Sequence, residues 1–189
     1  MTWRYGAFEL DPAIPPEGVD ARVYLEAKYG AASVAAMRGR LAEAFSAEGL
    51  ALRDLTEWGL RPSTFAAHRL LRAALADGLL VHQAVGDGLF LGYWAEGADV
   101  GDHEVLAGIA REAGMADDYA RDALSSDEVA VAVREEEGRA QAAGIRAVPT
   151  FVIDERSAVT GAQSPAALAQ AVRQVLAAKA TPAQSRGRT

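Results

Sequence analysis

Apolar residues recur every three or four positions along most of the chain between residues 20 and 144. This spacing places them on one face of an α-helix, so the pattern predicts a largely helical middle section. The clearest stripe contains Ala67, Leu70, Leu71 and Ala74. Six of the predicted helices cover residues 21–29, 33–48, 63–77, 79–95, 117–124 and 126–144. A further helix is predicted to begin at Asp102, and its apolar side contains Val105, Leu106, Ile109 and Ala110.

The N-terminal segment has the composition of a strand. Trp3, Tyr5 and Phe8 favour an extended chain, and we expect a strand from Thr2 to Leu10. The prolines that follow resist helix formation, so a rigid link should separate this strand from the first helix.

A β-hairpin is predicted near the C-terminus. Thr150–Ile153 and Ser157–Thr160 are rich in β-branched residues, and the polar residues between them favour a turn. Pro165 suits the first position of a last helix, which should end near Lys179. We expect the tail, residues 179–189, to be disordered.

The composition excludes several classes of function. Of the 189 residues, 19 are Lys or Arg and 26 are Asp or Glu, which gives a net charge of −7 without a basic run. Nucleic-acid binding is therefore not expected. We find neither a membrane-spanning segment nor a signal peptide in the sequence, and we expect a cytoplasmic protein. The absence of cysteine excludes disulfides, thiolate metal sites and a cysteine nucleophile.

The remaining polar residues form no recognisable catalytic or metal-binding pattern. The three histidines, His68, His82 and His103, are too far apart in sequence to indicate a set of metal ligands. The acid run at 135–137 is interpreted as a solvated helix face, because adjacent acids on a helix point apart.

Val148-Pro149-Thr150 is the segment with the clearest functional pattern. A proline at a strand start gives up one ladder hydrogen bond, so it belongs at an edge or at the first strand position. Spacing alone leaves both cis and trans open for the Val148–Pro149 bond, with trans the more common form.

The order of motifs around this corner resembles DsbA-like thioredoxin-fold proteins, and most of all their FrnE-like branch. The resemblance covers about residues 3–176; each motif is weak by itself, but their order is specific. The motifs are Phe8-Glu9-Leu10-Asp11-Pro12, Pro15-Pro16-Glu17-Gly18, Ala67-His68-Arg69-Leu70, Gly101-Asp102-His103-Glu104-Val105-Leu106, residues 144–153 and residues 158–163. This order makes a cis bond at Pro149 the expected form.

The resemblance implies an α/β thioredoxin-like fold with a large all-helical insertion. It implies one domain over residues 1–178, with 2–19 and 145–178 as the thioredoxin core and 20–144 as the helical insertion. In that family, a first strand and a helix with Cys-x-x-Cys precede the segment at which this sequence starts. We therefore expect the first strand and the dithiol helix to be missing, and an upstream start codon to be the reason.

The loss of a first strand would leave two strand edges unpaired, which is an aggregation risk. Two structural outcomes are open. In the first, the predicted strand at 3–10 pairs directly with the strand at 150–153. In the second, a strand of a second chain pairs with the exposed edge, as in a homodimer.

The family's cis-proline loop packs against the dithiol and offers backbone groups to a substrate chain. By resemblance, Val148, Pro149 and Thr150 form the substrate-binding loop here, and no catalytic residue is assigned because the dithiol is absent. Inserted helices roof the site in this fold, so further residues become candidates for lining it, with core packing as the alternative. These candidates are His68, Phe90, Tyr93 and Trp94.

Three functions remain open. The leading prediction is a thiol–disulfide oxidoreductase homologue for protein or small thiol substrates, without a cofactor or metal, and inactive in dithiol exchange as written. The first alternative is a glutathione-dependent enzyme of the 2-hydroxychromene-2-carboxylate isomerase and kappa-class transferase type, in which glutathione would be bound. The second alternative is a non-catalytic remnant that binds a peptide or a partner.

Overall fold

A computed structural model describes residues 2–57 and 59–180. Within these residues the chain forms eight α-helices, one π-helical turn and four short strands. The strands are β1 (Val19–Asp20), β2 (Leu60–Arg61), β3 (Thr150–Ile153) and β4 (Ser157–Thr160). The helices are α1 (Ala21–Tyr29), α2 (Ala31–Ala47), α3 (Phe65–Ala74), α4 (Leu79–Leu91), α5 (His103–Glu112), α6 (Asp117–Ser125), α7 (Asp127–Ala142) and α8 (Pro165–Ala180), and the π-helical turn is Gly92–Glu96.

Short polar residues begin two of the helices. The Asp20 carboxylate accepts a hydrogen bond from the Val23 N–H at 2.8 Å, and α1 has the predicted bounds. The Asp102 carboxylate accepts from the N–H groups of Glu104 and Val105 at 2.7 and 3.1 Å. Both caps satisfy amide donors that the first turn of a helix leaves unpaired.

The hydrophobic core lies among α3, α4, α5 and α6. Leu70, Val85 and Leu106 are completely buried at its centre, and Leu124 is 1% exposed. Burying each such side chain contributes about 1.5–3 kcal/mol. The predicted apolar stripes of α3 and α5 therefore face the same core.

The predicted strand at Thr2–Leu10 is wrong: the structure has no strand there. A strand needs a neighbouring strand to bond with, whereas the backbone of this segment bonds to side chains of α4 and α7. Gln83 Nε2 donates to the Trp3 carbonyl at 2.8 Å, the Tyr5 N–H donates to His82 Nε2 at 2.9 Å, and the Glu9 N–H donates to Glu137 Oε1 at 3.2 Å.

A two-residue antiparallel ladder follows this segment. β1 pairs with β2, with Val19 opposite Arg61 and Asp20 opposite Leu60. Gly18 precedes it with a φ of +74°, and a Cβ at this position would lie 2.8 Å from a Leu60 side-chain carbon. Glycine is therefore required here for both its backbone conformation and its size.

The chain divides into two compact units, of which the first ends at Arg139 and the second begins at Ala140. In the second unit β3 and β4 form the predicted hairpin in antiparallel register, with Thr150 opposite Thr160 and Ile153 opposite Ser157. None of its described residues is buried.

The division into units separates the segments expected to form the thioredoxin core, since 2–19 lies in the first unit and 145–178 in the second. The single domain over 1–178 remains a prediction. α8 continues through Ala180, so residues 179 and 180 of the predicted disordered tail are helical. Residues 181–189 of that tail lie outside the described residues. No helix in the described ranges is both long and apolar enough to cross a membrane.

Candidate functional site

The corner at Val148–Thr150 lies at the start of β3. The Val148–Pro149 peptide bond is cis. The Pro149 carbonyl accepts a hydrogen bond from the Gly161 N–H at 2.8 Å, and the Thr150 hydroxyl donates to the Ala147 carbonyl at 2.6 Å. Val148 is 47% exposed, and its own backbone groups bond to none of the described residues. The corner thus presents one residue with free backbone groups to its surroundings.

β3 has one paired edge and one open edge. Its only partner among the described strands is β4. Because the bonded pairs of an antiparallel ladder alternate, the bond between Pro149 and Gly161 directs the backbone groups of Phe151 toward β4. The backbone groups of Thr150 and Val152 therefore point to the open edge.

His68 lies on α3 in the first unit. Burial lowers its pKa, while the carboxylates of Glu137, Glu9 and Glu136 and a backbone hydrogen bond with Phe8 oppose this effect. Its Nδ1 is buried without a hydrogen-bond partner in the described part of the chain. The imidazole is therefore neutral near pH 7.

Two buried carboxylates lie close to this histidine and share one arginine. Glu9 and Glu137 are 7% and 6% exposed. Arg134 Nη1 donates to Glu137 Oε2 at 2.8 Å and also bonds to a Glu9 carboxylate oxygen. The same guanidinium lies 3.8 Å from the ring centroid of Phe65. One guanidinium therefore contacts both buried carboxyl groups, so that a single positive charge faces two acidic side chains.

This cluster corrects the interpretation of the acid run at 135–137. Glu135 is solvated as predicted, with a side chain that is 64% exposed, but Glu137 is buried. Glu136 is largely covered, and its Oε1 lies 2.9 Å from Arg4 Nη1. The three adjacent acids do point in different directions, as predicted. Glu137, however, points toward the N-terminal segment, where the Glu9 N–H donates to it.

The three aromatic candidates belong to two different groups of packed rings. Phe90 is 56% exposed and its ring centroid lies 5.9 Å from that of Tyr5. Tyr93 and Trp94 lie in the π-helical turn, edge to face at 4.8 Å, and Trp94 also packs against Phe45 at 5.9 Å. The three aromatic candidates therefore do not form one continuous patch.

The residues proposed for the site fall into different compact units, with Val148, Pro149 and Thr150 in the second and His68 and the aromatic residues in the first.

His82 was not predicted to have a special role. It is 1% exposed, and both of its ring nitrogens are hydrogen-bonded. Nothing in its sequence surroundings distinguishes it from a packing residue, because its partners Tyr5 and Leu71 are 77 and 11 positions away.

The chain offers little for metal or redox chemistry by its own side chains. Among the described residues no group of three or more His, Asp or Glu side chains is arranged to hold a metal ion. The sequence has no cysteine, so none of its residues can form a mixed disulfide.

Known proteins share this fold. A crystal structure of a probable DsbA oxidoreductase from Streptomyces coelicolor matches with a TM-score of 0.80 and 34% sequence identity, over 94% of this chain and 76% of that chain. A candidate protein disulfide isomerase from Nitrosomonas europaea matches with a TM-score of 0.69 and 16% identity, over 78% of this chain and 76% of that chain. The second likeness supports the fold alone. No curated protein matches the chain.

The sequence model of one family, the DSBA-like thioredoxin domain, matches residues 1–173. This match spans both compact units. Together with the Streptomyces structure, it establishes an α/β thioredoxin-like fold of the DsbA type, in which helices predominate. The chain belongs to the DSBA-like thioredoxin domain family.

Proposed function

We propose that this chain is a FrnE-like member of the DsbA family that binds extended polypeptide segments and does not itself exchange disulfides. The open edge of β3 carries this proposal. Thr150 and Val152 present backbone donors and acceptors there, without a partner strand among the described residues. An extended peptide recognises such an edge by adding a strand to it.

The side chains of the same strand favour an apolar partner. Phe151 is 37% exposed and Val152 55% exposed, so both faces of β3 offer apolar surface. β3 itself carries no charge that would repel a neighbouring strand. A peptide with alternating β-branched residues satisfies the backbone groups and covers part of this surface.

The chemistry of disulfide exchange is the reason why we expect this chain not to exchange disulfides itself. That reaction needs a thiolate that attacks one sulfur of the substrate and is released when a second thiol resolves the mixed disulfide. This sequence has no thiol. The FrnE-like assignment is supported by the Phe8–Pro12 motif and by the order of the other motifs.

Peptide binding can be tested with a pair of proline variants. Val152 and Ala158 lie opposite each other in the ladder, and by alternation the N–H of each points away from the other strand. Val152→Pro removes a donor from the open edge of β3, and Ala158→Pro removes the corresponding donor from the far edge of β4. The probe is a fluorescein-labelled, cysteine-free peptide of alternating valine and threonine, measured by anisotropy.

We expect Val152→Pro to weaken peptide binding by about five- to tenfold, because one hydrogen bond to the peptide is lost and the adjacent ones are disturbed. Ala158→Pro should leave peptide binding unchanged. Equal effects of both variants, or no binding by the parent chain, would contradict the peptide-binding proposal. Acceleration of dithiothreitol-dependent insulin reduction would contradict the inactive assignment. Saturable glutathione binding in calorimetry would favour the isomerase and transferase group instead.

A further inference from the structure

An open cleft lies between α2 and the connection that follows it, within the first unit. Its volume is about 700 Å3, within the range of roughly 300–1,000 Å3 that is usual for small-molecule sites. One wall is built from the small residues Ala35, Gly39 and Ala42 of α2. The opposite wall contains Leu50, Leu52 and Leu55. The cleft is therefore lined mainly by apolar groups.

An aromatic cluster supports one end of the cleft. Phe45 lines it, and Trp94 packs against Phe45 with ring centroids 5.9 Å apart. Trp94 belongs to the π-helical turn, and its carbonyl accepts a hydrogen bond from the Arg53 N–H at 2.8 Å. π-helical turns within helices are frequent at functional sites. The turn thus holds both an aromatic wall and the backbone of an arginine that lines the cleft.

Arg53 is positioned by contacts other than an ion pair. Its guanidinium lies 5.7 Å from the ring centroid of Tyr93. Its side chain passes so close to Gly59 and Gly97 that a Cβ would lie 3.3 Å and 3.1 Å from its atoms. Among the described residues it forms no ion pair, and its Nε is buried without a hydrogen-bond partner. Its charge is therefore not compensated by a carboxylate of the described chain.

The other charged groups of the cleft are Arg38 and Asp54. The attraction of Arg38 contributes to lowering the pKa of Asp54, after the larger effect of hydrogen bonds from the backbone and side chain of Thr56. With Arg53, the charged residues that line the cleft are two arginines and one aspartate, so that positive groups are in excess by one. An apolar cleft with one uncompensated guanidinium is complementary to an anion that has an apolar body.

We propose that this cleft binds a small carboxylate-bearing molecule with an aromatic or aliphatic body, with its carboxylate on Arg53 and its body between α2 and the leucines. This cleft and β3 are formed by residues of different compact units, and neither proposal depends on the other. A planar guanidinium favours a carboxylate because the two groups form paired hydrogen bonds.

The proposal is tested by titrating the full chain with 4-phenylbutyrate and with its uncharged counterpart 4-phenylbutanol, followed by amide NMR shifts. We expect saturable shifts at Gly39, Arg53 and Thr56, and about tenfold tighter binding of the carboxylate than of the alcohol. Equal affinity for both probes, or shifts confined to β3 and α8, would overturn the proposal.

Two pairs of variants separate charge from shape. Arg53→Met should abolish the preference for the carboxylate, whereas Arg40→Met, at an exposed position of the same helix α2 as the cleft wall, should retain it. Ala42→Trp should fill the cleft and block both probes, whereas Ala36→Trp, on α2 outside the cleft, should block neither. Binding that survives both Arg53→Met and Ala42→Trp would overturn the proposal, provided that each variant keeps the parent's urea midpoint.

Discussion

The backbone N–H of Tyr5 donates a hydrogen bond to Nε2 of His82 across 2.9 Å. Since Nε2 accepts, the ring proton is on Nδ1, which lies 2.8 Å from the Leu71 carbonyl oxygen. One buried imidazole therefore ties the N-terminal segment to α3 and α4. A backbone donor that lacks a strand partner is satisfied in this way by a side chain.

Replacement of this imidazole should be costly. His82→Leu keeps the approximate size but leaves the Tyr5 N–H and the Leu71 carbonyl without the ring as a partner. We expect the free energy of unfolding to fall by about 2–4 kcal/mol in urea denaturation. His103 is exposed, and His103→Gln should change the free energy of unfolding by less than about 0.5 kcal/mol. A His82→Leu protein as stable as the parent would disprove the proposed link.

Two glycines in helices should respond to alanine in opposite directions. A Cβ on Gly86 would lie 2.0 Å from Cε2 of Tyr5, whose ring is held edge to face against Trp3 at 4.8 Å. We expect Gly86→Ala to destabilise the protein by about 1–3 kcal/mol, because the ring must move. Gly39 in α2 has no atom within 4 Å of such a Cβ, so Gly39→Ala should stabilise by up to about 1 kcal/mol.

Thermal unfolding and near-UV circular dichroism measure both effects. Gly86→Ala should also change the tyrosine signal, since Tyr5 is displaced. In a Tyr5→Ala background the cost of Gly86→Ala should disappear. Persistence of the full cost in that background would mean that the clash with Tyr5 is not its origin.

Asp11 joins the N-terminal segment to α1 and β2. Its side chain is 7% exposed and forms ion pairs with Lys28 and Arg61. Burial alone would raise the pKa of Asp11, but hydrogen bonds from Lys28, Arg61 and Tyr24 lower it below its usual value. A carboxylate with a lowered folded-state pKa contributes stability that is present above its unfolded pKa and is lost as the pH falls through the folded pKa.

We therefore expect Asp11→Asn to reduce the free energy of unfolding at pH 7 by about 1–3 kcal/mol, and to reduce it less in strong acid. The measurement is urea denaturation at pH 7 and at pH 3. The control is Asp77→Asn, at an exposed position whose carboxylate forms no ion pair with the described residues. A loss for Asp11→Asn that is the same at both pH values would show that the ion pairs are not responsible.

His68 should make the protein less stable in mild acid. Burial is the main cause of its lowered pKa. Its unfolded pKa is near 6.5, so between that value and the lower folded pKa the unfolded chain binds more protons. The stability that depends on neutral His68 is therefore complete above about pH 6.5 and decreases as the pH falls toward the folded pKa.

The test compares urea denaturation of the parent and of His68→Gln between pH 7.5 and pH 5. The parent should lose more stability over this interval than the variant, and His103→Gln should behave like the parent. An NMR titration of the His68 ring should show a midpoint below 6.5. A midpoint at or above that value would contradict the dominance of burial.

Local patterns were sufficient to predict much of the secondary structure. β3, β4 and α1 have the predicted bounds, because their β-branched runs and the Asp20 cap act within a few residues. α3 ends at Ala74 rather than Asp77, and the helix predicted to continue through Ala95 changes to a π-helical turn at Gly92. Such ends depend on the packing of neighbouring elements.

The candidate site was predictable only in part. The place of the Val148–Thr150 corner at the start of β3 followed from Pro149 and the β-branched run after it. The cluster of the buried Glu9 and Glu137 with the exposed Arg134 did not, because Glu9 is 125 and 128 positions from its partners. Burial of an acid is decided by what lies opposite it, and its immediate sequence carries no signal of this kind.

The sequence by itself determined the helices, the hairpin, the absence of a thiol and the resemblance to the DsbA family. Each of these depends on residue types and on spacing along the chain. Only the tertiary structure decided that the Trp3–Glu9 segment bonds to helix side chains, that Glu137 is buried and Glu135 is not, and that His82 accepts at Nε2. These features depend on contacts between residues far apart in sequence, and their energies arise from burial and hydrogen bonding at those contacts.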